Sequence, residues 1–396
     1  MARVLCAWEY GGDLGHVRRL MPIARALRAM GHSTVFAFRD SAYLHGALAE
    51  GFEAFLAPLL RIPAQVTVSP QNFSDILLNL GFDDPHGLHG ALRAWRSMYA
   101  LVAPDVVVTD YAPTALIAAA TLELPRVTLG TGFSQPRVAD PLPALRPWEP
   151  SDPAVLRAID DRVVNSLRAA LAGISERVPV RAGEIFAADA HLLCTFADLD
   201  PFGPRDDVEY VGPQGDAVSG VNVDWPPGAR PRVFAYLKPG DARFGAVVAA
   251  LARLDADVIV AAPGLAPEAA LAASQGSMRV VAAAVNLERV IGSASLVVSH
   301  AGPGLVARGL AAGVPFALLP QHLEQYLVAL RVRQAGAAEL ASPDEPVPDF
   351  HAWFQALLGR EDLKRAAQAR AEALRGYSFD AGTRRAAERI VAVGTR

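Results

Sequence analysis

The residues best suited to chemistry lie between Ser299 and Gln325, in the stretch SHAGPGLVARGLAAGVPFALLPQHLEQ. The apolar run Ala294–Val298 ends in Ser299 and His300, a Gly-Pro-Gly turn follows at 302–304, and a helix-like segment comes next. A second apolar strand, Val314–Leu319, closes with Pro320, and Glu324-Gln325 lie just beyond it. Strand, glycine turn and helix together predict an anion site. The N–H groups of a first helical turn have no partner within the helix, and glycine lets a phosphate approach the backbone closely. A carboxylate and an amide beside that site suit the hydroxyls of a sugar carried on the phosphate.

This stretch resembles the donor-binding segment of family-1 nucleotide-sugar glycosyltransferases of the GT-B type, which reads His-x-Gly-x-Gly-Thr, then Gly-Val-Pro, then Pro-x-x-x-Asp/Glu-Gln. His300, Gly302 and Gly304 fit it, as do Gly313-Val314-Pro315, Pro320, Glu324 and Gln325. The resemblance implies that His300 and the Gly302–Gly304 helix start bind a diphosphate. It also implies that Glu324 and Gln325 orient the sugar, and that the Val285 backbone meets a pyrimidine edge. Two residues depart from the pattern. Leu305 stands where Thr or Ser is usual, and Arg308 where many members carry Glu, although a guanidinium can only donate hydrogen bonds. Lys238, at the end of the run Arg232–Leu237, is placed either to neutralise the diphosphate as a point charge or to sit as a solvated surface residue.

In the first half, an apolar run leads into Glu9-Tyr10-Gly11-Gly12-Asp13-Leu14-Gly15-His16, and a helix-like pattern follows. Gly11, Gly12 and Gly15, with Asp40 after the second strand, suggest a dinucleotide loop, but the spacing is not G-x-G-x-x-G. The family-1 pattern at this turn is Gly-His-x-x-Pro with His as the base. Gly15-His16 fits, while Arg19 replaces the Pro. An imidazole accepts a proton from a hydroxyl near neutral pH, and works best with a carboxylate on its other nitrogen. The resemblance makes Asp110 that carboxylate. It ends the run Asp105–Thr109, and strand C-termini of a parallel sheet face the same crevice as the first strand-to-helix turn. Asp13 competes with Asp110, which would otherwise cap the helix after Pro113, and Asp105 belongs at the opposite sheet edge.

These residues need a scaffold of buried strands separated by helices. Arg3–Trp8, Ser33–Phe38, Asp105–Thr109, Arg126–Leu129, His191–Thr195 and Val208–Val211 read as strands, with a helix at Val17–Met30. A second set follows at Arg232–Leu237, Asp257–Ala261, Arg279–Ala283, Ser295–Ser299 and Phe316–Leu319, and helices dominate after 348. Apolar runs without alternation predict parallel sheets covered on both faces. The expected fold class is α/β, two doubly wound Rossmann-like domains with a helical C-terminus, the GT-B architecture that the resemblance implies. The expected division is an acceptor domain over 1–213, a linker over 214–231, a donor domain over 232–375 and, at 376–396, a helix packing back on the first domain.

The 396 residues are 52% hydrophobic and 20% charged, with a formal net charge of −4, so nothing points to nucleic acid. Cys6 and Cys194 lie in apolar runs, which suits a reducing, cytoplasmic setting, and no segment predicts a membrane span. Peripheral membrane contact stays open. The loops carry Phe73, Phe82, Trp95, Phe133 and Trp148, which suggest an apolar acceptor surface. The expected activity is inverting, metal-independent hexosyl transfer from a UDP- or dTDP-sugar co-substrate to a small, partly apolar acceptor, with no cofactor. The alternatives are a non-catalytic donor-binding partner of a transferase and a nucleotide-sugar epimerase.

Overall fold

The computed structural model of the chain describes residues 1–12, 15–67, 69–215, 220–342 and 349–395. Asp13 lies outside them. Two compact units emerge. The first joins Met1–Cys194, Arg205–Gln214 and Phe379–Arg396, and the second joins Thr195–Pro204 to Gly215–Ser378. The segment expected as a linker therefore belongs largely to the second unit, as does a short piece expected in the first.

The first unit is built on β1 (Arg3–Trp8), β2 (Ser33–Phe38), β3 (Glu53–Leu56), β4 (Val106–Thr109), β5 (Arg126–Gly130), β6 (Ala190–Leu193) and β7 (Glu209–Tyr210). All pair in parallel, in the order β3-β2-β1-β4-β5-β6-β7. Val106, Val107 and Val108 are all fully buried, as an unalternating run requires when helices cover both faces. The helices are α1 (Gly15–Ala29), α2 (Leu44–Ala49), α3 (Phe73–Leu77), α4 (Pro85–Val102), α5 (Pro113–Ala120) and α6 (Pro153–Leu171).

The second sheet runs β10-β9-β8-β11-β12-β13, again all parallel. Its strands are β8 (Arg232–Tyr236), β9 (Asp257–Ala261), β10 (Met278–Val281), β11 (Leu296–Ser299), β12 (Phe316–Leu318) and β13 (Ala338–Leu340). Its helices are α7 (Phe244–Leu251), α8 (Pro267–Ala273), α9 (Leu287–Val290), α10 (Pro303–Ala311), α11 (Leu323–Gln334), α12 (Phe350–Leu358) and α13 (Glu361–Ala373). Gly309 lets α10 lie directly on the Phe316 ring, because a Cβ there would fall inside that ring's van der Waals envelope. In both sheets the strand order turns back between the first strand and its later neighbour, β1 beside β4 and β8 beside β11. A crevice opens at such a point in a doubly wound sheet.

The last helix, α14 (Phe379–Gly394), belongs to the first unit. Ala386, Ala387, Ile390 and Val393 share one buried cluster with Leu20, Ile23, Ala24 and Leu27 of α1. Small residues let the helix approach closely, and a Cβ on Gly394 would already lie 3.0 Å from Val106.

Candidate active site

In the first unit, His16 is the second residue of α1, and Asp110 directly follows β4. The parallel pairing of β1 with β4 brings both to the same C-terminal sheet edge. His16 Nδ1 lies 3.0 Å from Asp110 Oδ1, in contact but off linear hydrogen-bond alignment. Trp8, the last residue of β1, stacks on the imidazole with centroids 4.9 Å apart and planes at 17°. On another side Gly11 closes in: a Cβ there would sit 2.5 Å from His16 Nε2, and its φ of +84° favours glycine. Contact with a carboxylate at Nδ1 leaves Nε2 as the nitrogen that can accept a proton.

Asp110 has a second partner, at the position where the family-1 motif carries Pro. Arg19 Nη1 reaches Asp110 Oδ2 at 2.5 Å. Burial pushes the Asp110 carboxyl upward, but Arg19 and then His16 outweigh it and hold the group below the usual range. The signal was present in the sequence, since His16 and Arg19 are three residues apart and share a helix face. Tyr111 follows Asp110 with φ +51°, a left-handed conformation that is uncommon for a bulky residue. Gln135 lies nearby. A Cβ on Gly130 would be 3.8 Å from Asp110 Oδ1 and 3.6 Å from Gln135 Oε1. The Gln135 carboxamide is buried without a hydrogen-bond partner among the described residues.

Glu9, not Asp110, serves the helix after Pro113. It accepts from Thr114 N (3.1 Å), Thr114 Oγ1 (2.7 Å) and Ala115 N (2.7 Å), while Trp95 Nε1 donates to the same Thr114 hydroxyl at 3.0 Å. Burial pushes the Glu9 carboxyl up to about 7, although the bonds from Thr114, Ala115 and Trp95 pull it down. The folded chain thus keeps a proton that an unfolded glutamate releases near 4.5. Stability from this group is full below about pH 4.5 and is lost as pH rises through about 7, by roughly 3 kcal/mol. Glu9→Gln is expected to remove that slope. Urea midpoints of both proteins at pH 5 and pH 8 check it, and parallel falls in the two would contradict it.

The remaining first-domain candidates settle differently. Asp40 accepts from Ala42 N at 2.9 Å and caps a short 3₁₀ turn, an ordinary local role for the residue that a dinucleotide reading assigns to ribose. Asp105 takes the Arg3 N–H at the far end of the sheet. The loop aromatics do not form the exposed apolar surface expected of them. Phe73, Phe82, Trp95 and Phe133 are core residues, with Phe73 packed against Phe133 and Phe186, and only Trp148 of the five is exposed. Leu56, Leu59, Ile62 and Val66 are exposed instead, on the stretch that leaves the C-terminal end of β3.

In the second unit, β11 delivers His300 to the start of α10, and Gly302 stands at the N-cap position. Gly302 and Gly304 have open space where a Cβ would point. Leu305 N bonds back to Gly302 O at 3.1 Å. Both His300 nitrogens are engaged within the chain. Nδ1–H donates to the Leu319 carbonyl at 2.9 Å, and Nε2 accepts from the Lys238 backbone N–H at 3.0 Å. Burial pushes the imidazole below its ordinary range, against the pull of the Leu319 carbonyl and Asp241, so the ring is neutral at pH 7. His300 therefore fastens the Lys238–Gly240 corner to the end of β12, whereas a direct phosphate contact was the expectation. Its neighbour Asp241 (3.5 Å) and Arg243 join in, Arg243 donating to Asp241 and to the Leu319 and Pro320 carbonyls. Neither residue carries a motif that marks it in the sequence.

Glu324 lies in the first turn of α11, half-buried, and Gln325 is buried with its Oε1 accepting from Gln321 N at 2.8 Å. Arg308 reaches back to the Gly215 carbonyl, which ties the start of the 215–231 stretch to α10. Val285 pairs with Val221 through Val221 N–H to the Ala284 carbonyl and Asn286 N–H to the Val221 carbonyl, both 2.9 Å. The N–H and carbonyl of Val285 itself therefore point to the other side of that segment.

The family model for the glycosyltransferase family 28 C-terminal domain matches residues 268–349, which hold β11, α10, β12 and α11. No curated protein matches the chain by sequence. Among solved structures, the chain is similar to CalG4, the calicheamicin glycosyltransferase, at TM-score 0.74 and 22% identity over 100% of this chain and 98% of that one. It is similar to the glycosyltransferase VinC in complex with dTDP (0.65, 19%, 100% of each chain). It is also similar to the spinosyn rhamnosyltransferase SpnG complexed with spinosyn aglycone (0.64, 18%, 98% and 100%). The fold is the GT-B fold of glycosyltransferases, and its second unit carries a glycosyltransferase C-terminal domain.

Proposed function

We propose that this chain is an inverting, metal-independent glycosyltransferase of the cytoplasm, moving a hexose from a uridine or thymidine diphosphate to a hydroxyl of a small, partly apolar acceptor. The observation that carries the reading is the His16–Asp110 contact at the C-terminal edge of a parallel sheet, with His16 Nε2 left to act as base. The acceptor hydroxyl gives its proton to Nε2, its oxygen bonds to the anomeric carbon, and the bond from that carbon to the diphosphate breaks. Attack opposite the leaving group inverts the anomeric centre. Asp110 stabilises the imidazolium that forms.

The open helix start at Gly302–Gly304 and Lys238 receive the diphosphate, whose charge the α10 N-terminus favours. His300 acts there by holding the Lys238 backbone in place. Glu324 and Gln325 meet the sugar, and the Val285 backbone meets the base. A thymidine carrier is favoured by the dTDP held in VinC and the thymidine diphosphate held in SpnG, an aglycone acceptor by the spinosyn aglycone held in SpnG, and its apolar character by exposed Leu56, Leu59, Ile62 and Val66. Incubation with UDP- and dTDP-sugars and a panel of hydroxylated acceptors, read by mass spectrometry and by the anomeric coupling constant, tests the reading. Donor binding without transfer to any acceptor would instead make the chain a non-catalytic partner.

Glu324→Ala separates sugar from nucleotide recognition. Removing a charged hydrogen bond is worth about 1.5–3 kcal/mol, so nucleotide-sugar affinity is expected to fall about 10- to 100-fold. Affinity for the free nucleoside diphosphate is expected to hold. Calorimetric titration with both ligands decides it, and equal losses would remove Glu324 from the sugar site.

A further inference from the structure

An imidazole and a guanidinium converge on one buried carboxylate at the first-unit site. His16 Nδ1 is 3.0 Å from Asp110 Oδ1, and Arg19 Nη1 is 2.5 Å from Oδ2. The Asp110 side chain is 1% exposed, so its charge is compensated by protein rather than by water. A buried carboxylate favours the protonated form of a neighbouring imidazole, and an imidazolium accepts no proton. Arg19 is permanently charged and matches Asp110 while His16 stays neutral.

We propose that Arg19 is a positioning residue that takes one oxygen of Asp110 and so sets the pH range over which His16 is free to accept a proton. The inference rests on the reading of His16 as the base. Arg19 also opposes the imidazolium formed during reaction, so its effect is to shift the working range downward rather than to raise the limiting rate.

The other groups facing the pair leave this role to Arg19. From β1, Trp8 stacks on the ring, and burial pushes the Cys6 thiol up to about 12, so it is uncharged. Cys194, just beyond β6, is likewise pushed up to about 12 by burial. Arg39, just beyond β2, donates to the Gly11 carbonyl at 2.5 Å. Tyr111 approaches Gly11 from the turn after β4. On α14, Arg389 is bound to Glu209.

The test is an NMR titration of the His16 ring protons in the intact chain without substrate, assigned by their loss in His16→Gln. Arg19→Met is expected to raise the His16 midpoint by about one pH unit, and Arg19→Lys to leave it within a few tenths of wild type. In sugar transfer, the acidic limb of the kcat/KM profile is expected to move by the same amount, with activity regained at higher pH. If Arg19→Met does not fold, Arg19→Gln, neutral and still able to donate to Asp110, takes its place with the same expected direction. An unmoved or lowered midpoint in a folded neutral variant overturns the proposal, as does an equal rise in Arg19→Lys. The expected shift in a chain that transfers no sugar would sink the function and leave this role standing. Normal transfer with an unmoved midpoint would do the reverse.

Discussion

His16→Ala is expected to lower turnover by about 10²–10⁴, the usual worth of a general base, while donor affinity scarcely changes. In the proposed mechanism the base meets the acceptor hydroxyl, whereas Lys238, Gly302–Gly304, Glu324 and Gln325 lie in the other unit. Asp110→Asn should also lower turnover, because an amide gives His16 no counter-charge and permits the wrong tautomer. The two residues act as one device, so the double variant is expected to be little worse than His16→Ala. Single-turnover rates with donor affinities measured alongside check this. Near wild-type transfer by His16→Ala would place the base elsewhere, with Asp13 the first alternative.

Gly11→Ala is expected to cost about 10²-fold in turnover through geometry alone, the typical result of misplacing a catalytic group by about 1 Å. The new methyl group would begin 2.5 Å from His16 Nε2. The ring has little room to retreat, because Trp8 covers one face and Asp110 holds Nδ1. Either the Asp110 contact breaks or the Gly11 backbone moves, and a φ of +84° already disfavours alanine. Steady-state rates beside a thermal melt check the claim. A variant as stable and as active as wild type would show that the ring has freedom the geometry denies.

Much of the scaffold was legible because buried parallel strands advertise themselves as unbroken apolar runs. The extents of β1, β2 and β9 read directly from their residues. β3 and β13 did not. They are four and three residues long, stand at sheet edges and contain Glu53 and Glu339, too little chain for any periodicity to register. The His16–Asp110 pairing was legible because parallel topology sends both to one edge and the family resemblance pointed to Asp110, with Asp13 as its competitor. What Glu9 and His300 bond to was not, since it depends on Thr114, Lys238 and Leu319, all remote in sequence. Phe73, Phe82, Trp95 and Phe133 misled because prolines around them suggested surface loops, whereas Phe73, Phe82 and Trp95 lie on the buried sides of helical segments and Phe133 packs inward beside them.

The chain passes between its two units at 194/195, 204/205, 214/215 and 378/379. Its halves are therefore interlaced rather than concatenated, and this bears on recombination. The second unit transplanted as the single block 215–378 would leave behind Phe196 and Leu199, which belong to its core, and Asp198, the partner of Arg370. A block begun at 232 would also lose the Val221 pairing that shapes Val285 and the Gly215 anchor of Arg308. A chimera that keeps both units intact has to carry Thr195–Pro204 with the second unit and return α14 to the first. New properties in such a chain therefore come more readily from substitutions in place than from exchange of a contiguous module.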